Sequence, residues 1–406
     1  MRIGSFLRDN ATWLAAGFLL TFTSSFGQTF FISLFAGELR ATFGLSNGQW
    51  GGIYTLATTA SALVMVWTGV LTDRYRVRAL GRYSLIGLAL ACVAMAAVPS
   101  VFALGFVIFA LRFTGQGMTS HIAVVAMARW FSATRGKALA IARLGYTTGE
   151  AFLPLIFVAL LGVFSWRLLW LFAGFAALIA IPALLALLRR ERVPSEMSDA
   201  NASSGLGGRH WTRGEVLRHR LFWCAVPLLV GPAAFGTALF FHQVHMVEVK
   251  GWALIDYVAL FPLFSGVSFV FMLASGLAVD RFGTARLIPW ILLPYVAGFL
   301  LLAQAESLAA AAVALTLLGV TTGSMGTVPA AFWAEFYGTR HIGAIKAMAA
   351  ALMVFGTAIG PGLTGALIDF GFDFPSQMIA IGVYFIFAAA CVGFGVRSVR
   401  GEISAI

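Results

Sequence analysis

The sequence predicts an all-α integral membrane protein, with twelve transmembrane helices in two pseudo-symmetric six-helix bundles. Three observations carry this. The chain is 60% hydrophobic and only 11% charged, with a mean hydropathy of +0.91. A soluble domain carries about 25% charged residues, so lipid must be the main solvent here. The apolar residues fall into twelve runs, most of them near the ~20 residues that a bilayer requires. Finally, one stretch occurs twice: Gly69-Val70-Leu71-Thr72-Asp73-Arg74-Tyr75 returns as Gly276-Leu277-Ala278-Val279-Asp280-Arg281-Phe282-Gly283 in a chain of 406 residues.

In order, the expected spans are 11–36, 50–72, 80–98, 102–128, 137–163, 166–188, 221–249, 254–279, 286–305, 308–334, 343–369 and 375–397. The first follows Arg2 and Arg8. It is too long for the core of a signal peptide and shows no small-residue cleavage site, so it is read as a retained helix. The long polar stretch 189–220 divides the spans six and six. It is read as a flexible linker with a short amphipathic helix near Arg213–His219, between an N-terminal bundle (1–188) and a C-terminal bundle (221–406).

Charge placement sets the orientation. Of the 27 Lys and Arg, only Arg40, Arg167 and Lys250 fall on one side, and Arg112 and Arg143 lie inside spans; all the others, from Arg2 to Arg192 and on to Arg400, share the opposite side. The positive-inside rule then puts both termini and the linker in the cytoplasm, and the expected location is the cell (inner) membrane. The net charge of +11 is thus a matter of topology, and no nucleic-acid partner is expected. Cys92, Cys224 and Cys391 are scattered through apolar runs and offer neither a disulfide framework nor metal spacing.

Polar residues inside spans mark the candidate chemistry, because a charge at mid-membrane costs ~2.5–3.5 kcal/mol and needs a partner or an aqueous cavity. Span 1 places Ser24, Ser25, Gln28 and Thr29 near mid-depth, as groups able to orient a substrate. Span 4 carries Arg112 near its middle, with Gln116 and Thr119 on the same helical face. Arg112 either lines a cavity or makes a structural contact to backbone carbonyls. His121 is out of phase with Arg112 unless Gly115 and Gly117 bend the helix, and is either a cavity group or a hydrogen-bonded core residue. Span 5 holds Arg143 and Glu150 on one face, about 10 Å apart along the axis. Glu150 is either a proton-carrying carboxylate or a static counter-charge. Gly145 and Gly149 are read as helix-packing positions.

In span 7, Pro227, Gly231, Pro232 and Gly236 are expected to interrupt the helix. His242 and His245 follow near its end and suggest an outer gate or an interfacial anchor; no further ligands accompany them, so no metal is expected. The many aromatics are expected mostly at lipid-facing and interfacial positions. Two buried arginines and His121 against one buried acid predict an electropositive cavity and an anionic ligand.

The repeat extends to Phe26-Gly27 against Phe235-Gly236, and to Phe131…Arg135 against Phe336…Arg340. Parallel six-helix halves are a recognised transporter plan, with substrate near the midplane. The chain resembles the major facilitator superfamily over nearly its whole length. Gly69-x-Leu71-x-Asp73-Arg74 resembles the family signature between the second and third helices, although Arg76 stands where the family has a glycine; the second copy keeps Gly283. Arg112-Phe113-Thr114-Gly115-Gln116-Gly117 resembles a second family motif. The run Trp130-Phe131-x-x-x-Arg135-Gly136-Lys137 resembles the monocarboxylate and oxalate–formate branch, though Ser24–Thr29 replaces the Asp-Gly pattern of animal monocarboxylate carriers. The resemblance implies a gating latch in which Asp73, beside Arg74 and Gly69, faces span 11 and pairs with Arg129. Asp280, with Arg281, Gly276 and Glu335 nearby, would act equivalently against span 5.

The expected function is a secondary carrier for a small organic anion of monocarboxylate type, coupled to protons, with no cofactor and acting as a monomer in the lipid bilayer. A multidrug or metabolite efflux pump of the same superfamily is the alternative, and a non-transporting sensor is an alternative of another class. No nucleophile–base pair or phosphate loop supports an enzyme.

Overall fold

The apolar runs become mostly helix, because in hydrocarbon a backbone must satisfy its own hydrogen bonds. The computed structural model describes residues 3–131, 134–190 and 204–399. Arg2, Arg192, Arg400 and linker residues 191–203 lie outside the described residues. Among the described residues, ten helical runs are long and apolar enough to cross a membrane: Asn47–Arg74, Val77–Ala96, Val101–Trp130, Arg135–Leu161, Trp166–Leu187, Arg220–Phe241, Leu254–Phe282, Leu308–Tyr337, Ile342–Asp369 and Phe374–Ser398. Span 1 is two helices, Ala11–Gly27 and Thr29–Phe43, bent by 45°. Span 9 is broken: Thr284–Leu287 is separated by turns from Leu293–Gln304. Pro289 and Pro294 account for that break, since each lacks an amide donor, and the Thr321 hydroxyl takes up the Ile291 carbonyl at 2.8 Å.

The chain separates into two compact units, Met1–Met197 and Ser198–Ile406. In the first, span 1 packs on span 5, span 3 on span 6, and span 2 on span 4. In the second, span 7 packs on span 11, span 9 on span 12, and span 8 on span 10, the same pattern. Small residues make these pairings, as expected where lipid removes the hydrophobic drive between helices. A β-carbon on Gly145 would lie 2.2 Å from the Phe18 carbonyl oxygen, and one on Gly360 would lie 2.2 Å from the Ala234 carbonyl oxygen.

Three expectations need correction. Span 7 is not interrupted at its prolines: Arg220–Phe241 is one helix that contains Pro227 and Pro232, and it ends at His242. Neighbouring helices hold it, with Tyr384 donating to the Pro227 carbonyl at 2.9 Å and its ring filling the space over Gly231. The second part of the expected linker is folded. Trp211 N–H donates to the Tyr337 carbonyl (3.2 Å), His219 Nδ1 bonds the Tyr337 hydroxyl (3.0 Å), and Thr212 and Glu215 form a capping box on helix Arg213–Arg218. Many aromatics lie in bundle cores rather than facing lipid. Phe31 sits within 4.8–5.7 Å of Phe26, Phe35, Phe157 and Trp170, ring centre to ring centre.

Candidate functional site

The first bundle gathers its polar residues around two irregular backbones. Span 1 tightens into a 3-10 turn over Ser24–Gly27 and then turns extended at Gln28 (φ −88°, ψ 155°). The amides of Phe31 and Ile32 both bond to the Gln28 carbonyl and pass over that of Gly27. Opposite, span 4 widens into a π-helix over Arg112–Thr119. The Thr119 hydroxyl donates to the carbonyl of Thr114, five residues back, at 2.7 Å. Such widened turns are frequent at functional positions. The two irregular backbones touch where both residues are glycine: a β-carbon on Gly115 would lie 2.7 Å from the Gly27 α-carbon.

Arg112 bridges them. It is 1% exposed. Its Nη1 donates to the Gly27 carbonyl at 3.1 Å and to the Thr29 hydroxyl at 3.3 Å. Thr29 bonds the Tyr54 hydroxyl, and the guanidinium lies 5.3 Å from the centre of the Tyr54 ring. Arg112 therefore supplies the hydrogen bond that the broken span cannot make for itself, while its Nε is buried without a hydrogen-bond acceptor.

Glu150, 6% exposed, accepts from the Tyr146 hydroxyl at 3.0 Å. Arg143, expected to be buried, is exposed instead and lies over the ring of the same tyrosine, 4.3 Å from its centre. Tyr146 is thus the link between the two span-5 charges, a connection that spacing alone did not reveal; it is also near enough to Arg112 for a charge interaction. Gln28 is buried at the break and Gln116 half-buried in the π-helix.

The π-helix changes the expected phasing. Thr119 does not share the Arg112 face but pairs with Ser84 of span 3 at 2.7 Å. His121 lies beside Gly69, at the end of span 2, with its Nε2 3.5 Å from where a β-carbon on that glycine would be, and does not join the Arg112 cluster.

At that basic end, Asp73 and Arg129 form an ion pair, and Arg129 also donates to the Thr72 carbonyl at 2.8 Å. Arg74 is exposed beside them. The second bundle builds its loop differently. Glu335 accepts from the Thr284 amide (2.9 Å) and hydroxyl (2.6 Å), tying the loop after span 8 to span 10. Asp280 and Arg281 are exposed, and Arg281 stacks on Phe282. A β-carbon on Gly69 would lie 2.9 Å from the carbonyl oxygen of Met65, four residues back in its own helix, whereas one on Gly276 would meet only an ordinary contact at 3.7 Å. Gly283 has φ 72°, ψ 161°, open only to glycine, while Arg76 is in ordinary extended geometry, so the first loop has no need of a glycine there.

His242 is 2% exposed, and its Nε2 lies 2.9 Å from the Thr364 hydroxyl. That hydroxyl donates to the Gly360 carbonyl at 2.7 Å, so His242 must donate to it. His242 fastens span 7 to span 11 within the second bundle. His245 is half-buried on the helix that follows, Gln243–Lys250.

The chain matches the family model described as Major Facilitator Superfamily over residues 17–303. No curated protein matches it significantly in sequence. Among solved structures it is similar to a bacterial homolog of the human lysosomal transporter Spinster, in an inward-facing and unoccupied conformation, at 18% identity, covering 97% of this chain and 98% of that one with a TM-score of 0.72. A nucleoside transporter aligns at 12% identity, 95% and 99% coverage and TM-score 0.71. A D-xylose–proton symporter aligns at 16% identity, 93% and 96% coverage and TM-score 0.70. At these identities the structural likenesses speak for the fold alone.

Proposed function

The chain belongs to the major facilitator superfamily, a family of transporters rather than enzymes, and on that premise we propose that it is a secondary carrier for a small organic anion of monocarboxylate type, coupled to protons and working by alternating access. One observation carries the reading: an exposed arginine inside a span, Arg143, stacked on the tyrosine that holds the buried Glu150. Among the described residues Arg143 has no ion-pair partner, so its charge is available to a ligand.

The coupling follows from electrostatics. With Glu150 ionised, its charge offsets the neighbouring arginines and weakens the pull on an anion. Protonation removes that offset, so the proton strengthens anion binding and, by linkage, the anion strengthens proton binding. Arg143 draws the carboxylate, Glu150 carries the proton, and Arg112, Gln28 and Gln116 fix the backbone and shape around them. His121, with Asp73 and Arg129, belongs to the gating end, and Glu335 with Thr284 takes the corresponding place in the second half beside Asp280. His242 and His245 close the far end of that half. The monocarboxylate and oxalate–formate branch is supported by the Trp130–Lys137 run. Proton coupling has a precedent in the fold, since one structural neighbour is a proton symporter by its description. The two halves, 1–188 and 221–406, joined through 189–220, form the moving units of a monomer in the inner membrane, with both termini cytoplasmic as the distribution of Lys and Arg favours.

Proteoliposomes test this directly. Labelled lactate should enter faster with acid outside, and Arg143→Gln should reduce that uptake at least tenfold while the protein stays folded. Uptake of a lipophilic cation or a neutral sugar in place of lactate, or full lactate uptake by Arg143→Gln, would reject the reading.

A further inference from the structure

We propose that the second bundle holds a separate binding site for a neutral, hydroxyl-bearing amphiphile from the bilayer. Spans 7, 11 and 12 enclose a cavity of about 310 Å³, at the lower end of the size range for small-molecule sites. Its walls are apolar: Phe235 from span 7, Leu363 from span 11, Ala380 from span 12 and Phe372 from the loop between the last two. No charged side chain lines it. Leu363 and Phe372 are both largely exposed, so the cavity opens on the surface of the bundle.

Its polar groups are Gln377 and Thr364. The Thr364 hydroxyl is already engaged, donating to Gly360 and accepting from His242. Gln377 donates both amide hydrogens, to the carbonyls of Thr364 (3.0 Å) and Phe372 (2.7 Å). Two carbonyl acceptors fix the orientation of the amide, since the flipped form would set oxygen against oxygen. The side-chain oxygen that remains is buried, with the residue 7% exposed, and has no hydrogen-bond donor. A buried acceptor without a donor is costly. Water answers that need poorly, because it requires two to four polar neighbours and the cavity offers one free atom.

The chemistry of the occupant follows. A lone acceptor at an apolar wall repels carboxylates and phosphates and rewards a single O–H. Without a counter-charge it gives no hold to an ammonium group. Gln377 is in the first turn of helix Phe374–Ser398, at the end of the bundle remote from Arg281 and Arg340. That depth matches the hydroxyl of an interfacial amphiphile whose chain lies along Leu363 and Phe235.

The test uses the full chain in detergent, tritiated 1-decanol as probe, and methyl nonyl ether as the competitor of equal length that lacks the donor. Decanol should displace the label about fivefold more effectively than the ether, as one net hydrogen bond predicts. Gln377→Leu should erase that preference. Because it also frees two carbonyls, Ala380→Phe serves as the second variant: it fills the cavity, leaves the Gln377 contacts alone, and should abolish saturable decanol binding. Equal competition by alcohol and ether, or saturable decanol binding that survives Ala380→Phe, would overturn the proposal.

Discussion

Arg112 shows how a residue conspicuous in the sequence takes on a role visible only in three dimensions. An arginine near the middle of a 30-residue apolar run marks itself as functional or paired. Its acceptor is a main-chain oxygen released by a break in another span, and no side-chain pattern encodes that. Removing the guanidinium leaves the Gly27 carbonyl buried and unsatisfied, a cost of about 1–3 kcal/mol. Arg112→Leu should therefore lower the melting temperature clearly more than Thr29→Val, which keeps the carbonyl bond; equal effects of the two would argue against the capping role. Asp373, in the loop before span 12, offers a second test. Its carboxylate accepts from the Ser376 amide at 2.7 Å, and the Ser376 hydrogen bonds hold its pKa below the ordinary value of 3.8. A depressed carboxylate pKa stabilises the fold above the unfolded-state pKa, and the stabilisation is lost as pH falls through the folded-state value. Asp373→Ala should cost about 1 kcal/mol at neutral pH, and the gap from wild type should narrow below pH ~4. A gap independent of pH would contradict the assignment.

At the scale of elements, helix positions were readable from hydropathy, while breaks and phases were not. Span 7 looked broken because of Pro227 and Pro232, yet packing by spans 11 and 12 keeps it whole. Span 1 contains no proline before its break and still leaves the helix at Gln28, where Ser24, Ser25 and Gly27 were the available signal. The π-helix in span 4 moved Thr119 off the face assigned by an ideal helix, while His121 stays away from Arg112 as ideal phasing has it. Elements also explain the three cations on the sparse side of the chain. Arg167 donates to the Ala96 and Val98 carbonyls beyond span 3, Lys250 to those of Ala303 and Ala305 beyond span 9, and Arg40 to Leu45 beyond span 1. Each cation satisfies carbonyls at a helix C-terminal end, where a positive charge is favoured. The glycine seams give the element-scale prediction. Gly145→Ala and Gly360→Ala force a methyl against backbone oxygen and should each sharply lower the yield of monodisperse protein. Gly52→Ala, which meets nothing within 4 Å, should match or exceed wild type. Loss of yield in all three would detach the effect from packing.

Across the whole molecule, the two units repeat one pattern of helix pairing but not one pattern of charge. Among the described residues, the buried Arg112 and Glu150 are in the first bundle, and the buried His242 in the second bonds Thr364 of its own bundle. The duplication was legible in the paired Gly–Asp–Arg motifs, and so was the concentration of charge in spans 4 and 5. The divergence of the motif's second copy was not, because Glu335 replaces the Asp–Arg pair with a contact to Thr284 that depends on the loop geometry at Gly283. The proposed coupling turns on Glu150 as the group that exchanges the proton. In proteoliposomes, lactate uptake driven by a pH gradient and lactate exchange at equal pH can be measured on the same preparation, for wild type and for Glu150→Gln. A neutral amide mimics the protonated acid and cannot release a proton, so gradient-driven uptake should fall to background while exchange persists. Uptake and exchange both at wild-type levels in Glu150→Gln would contradict the account.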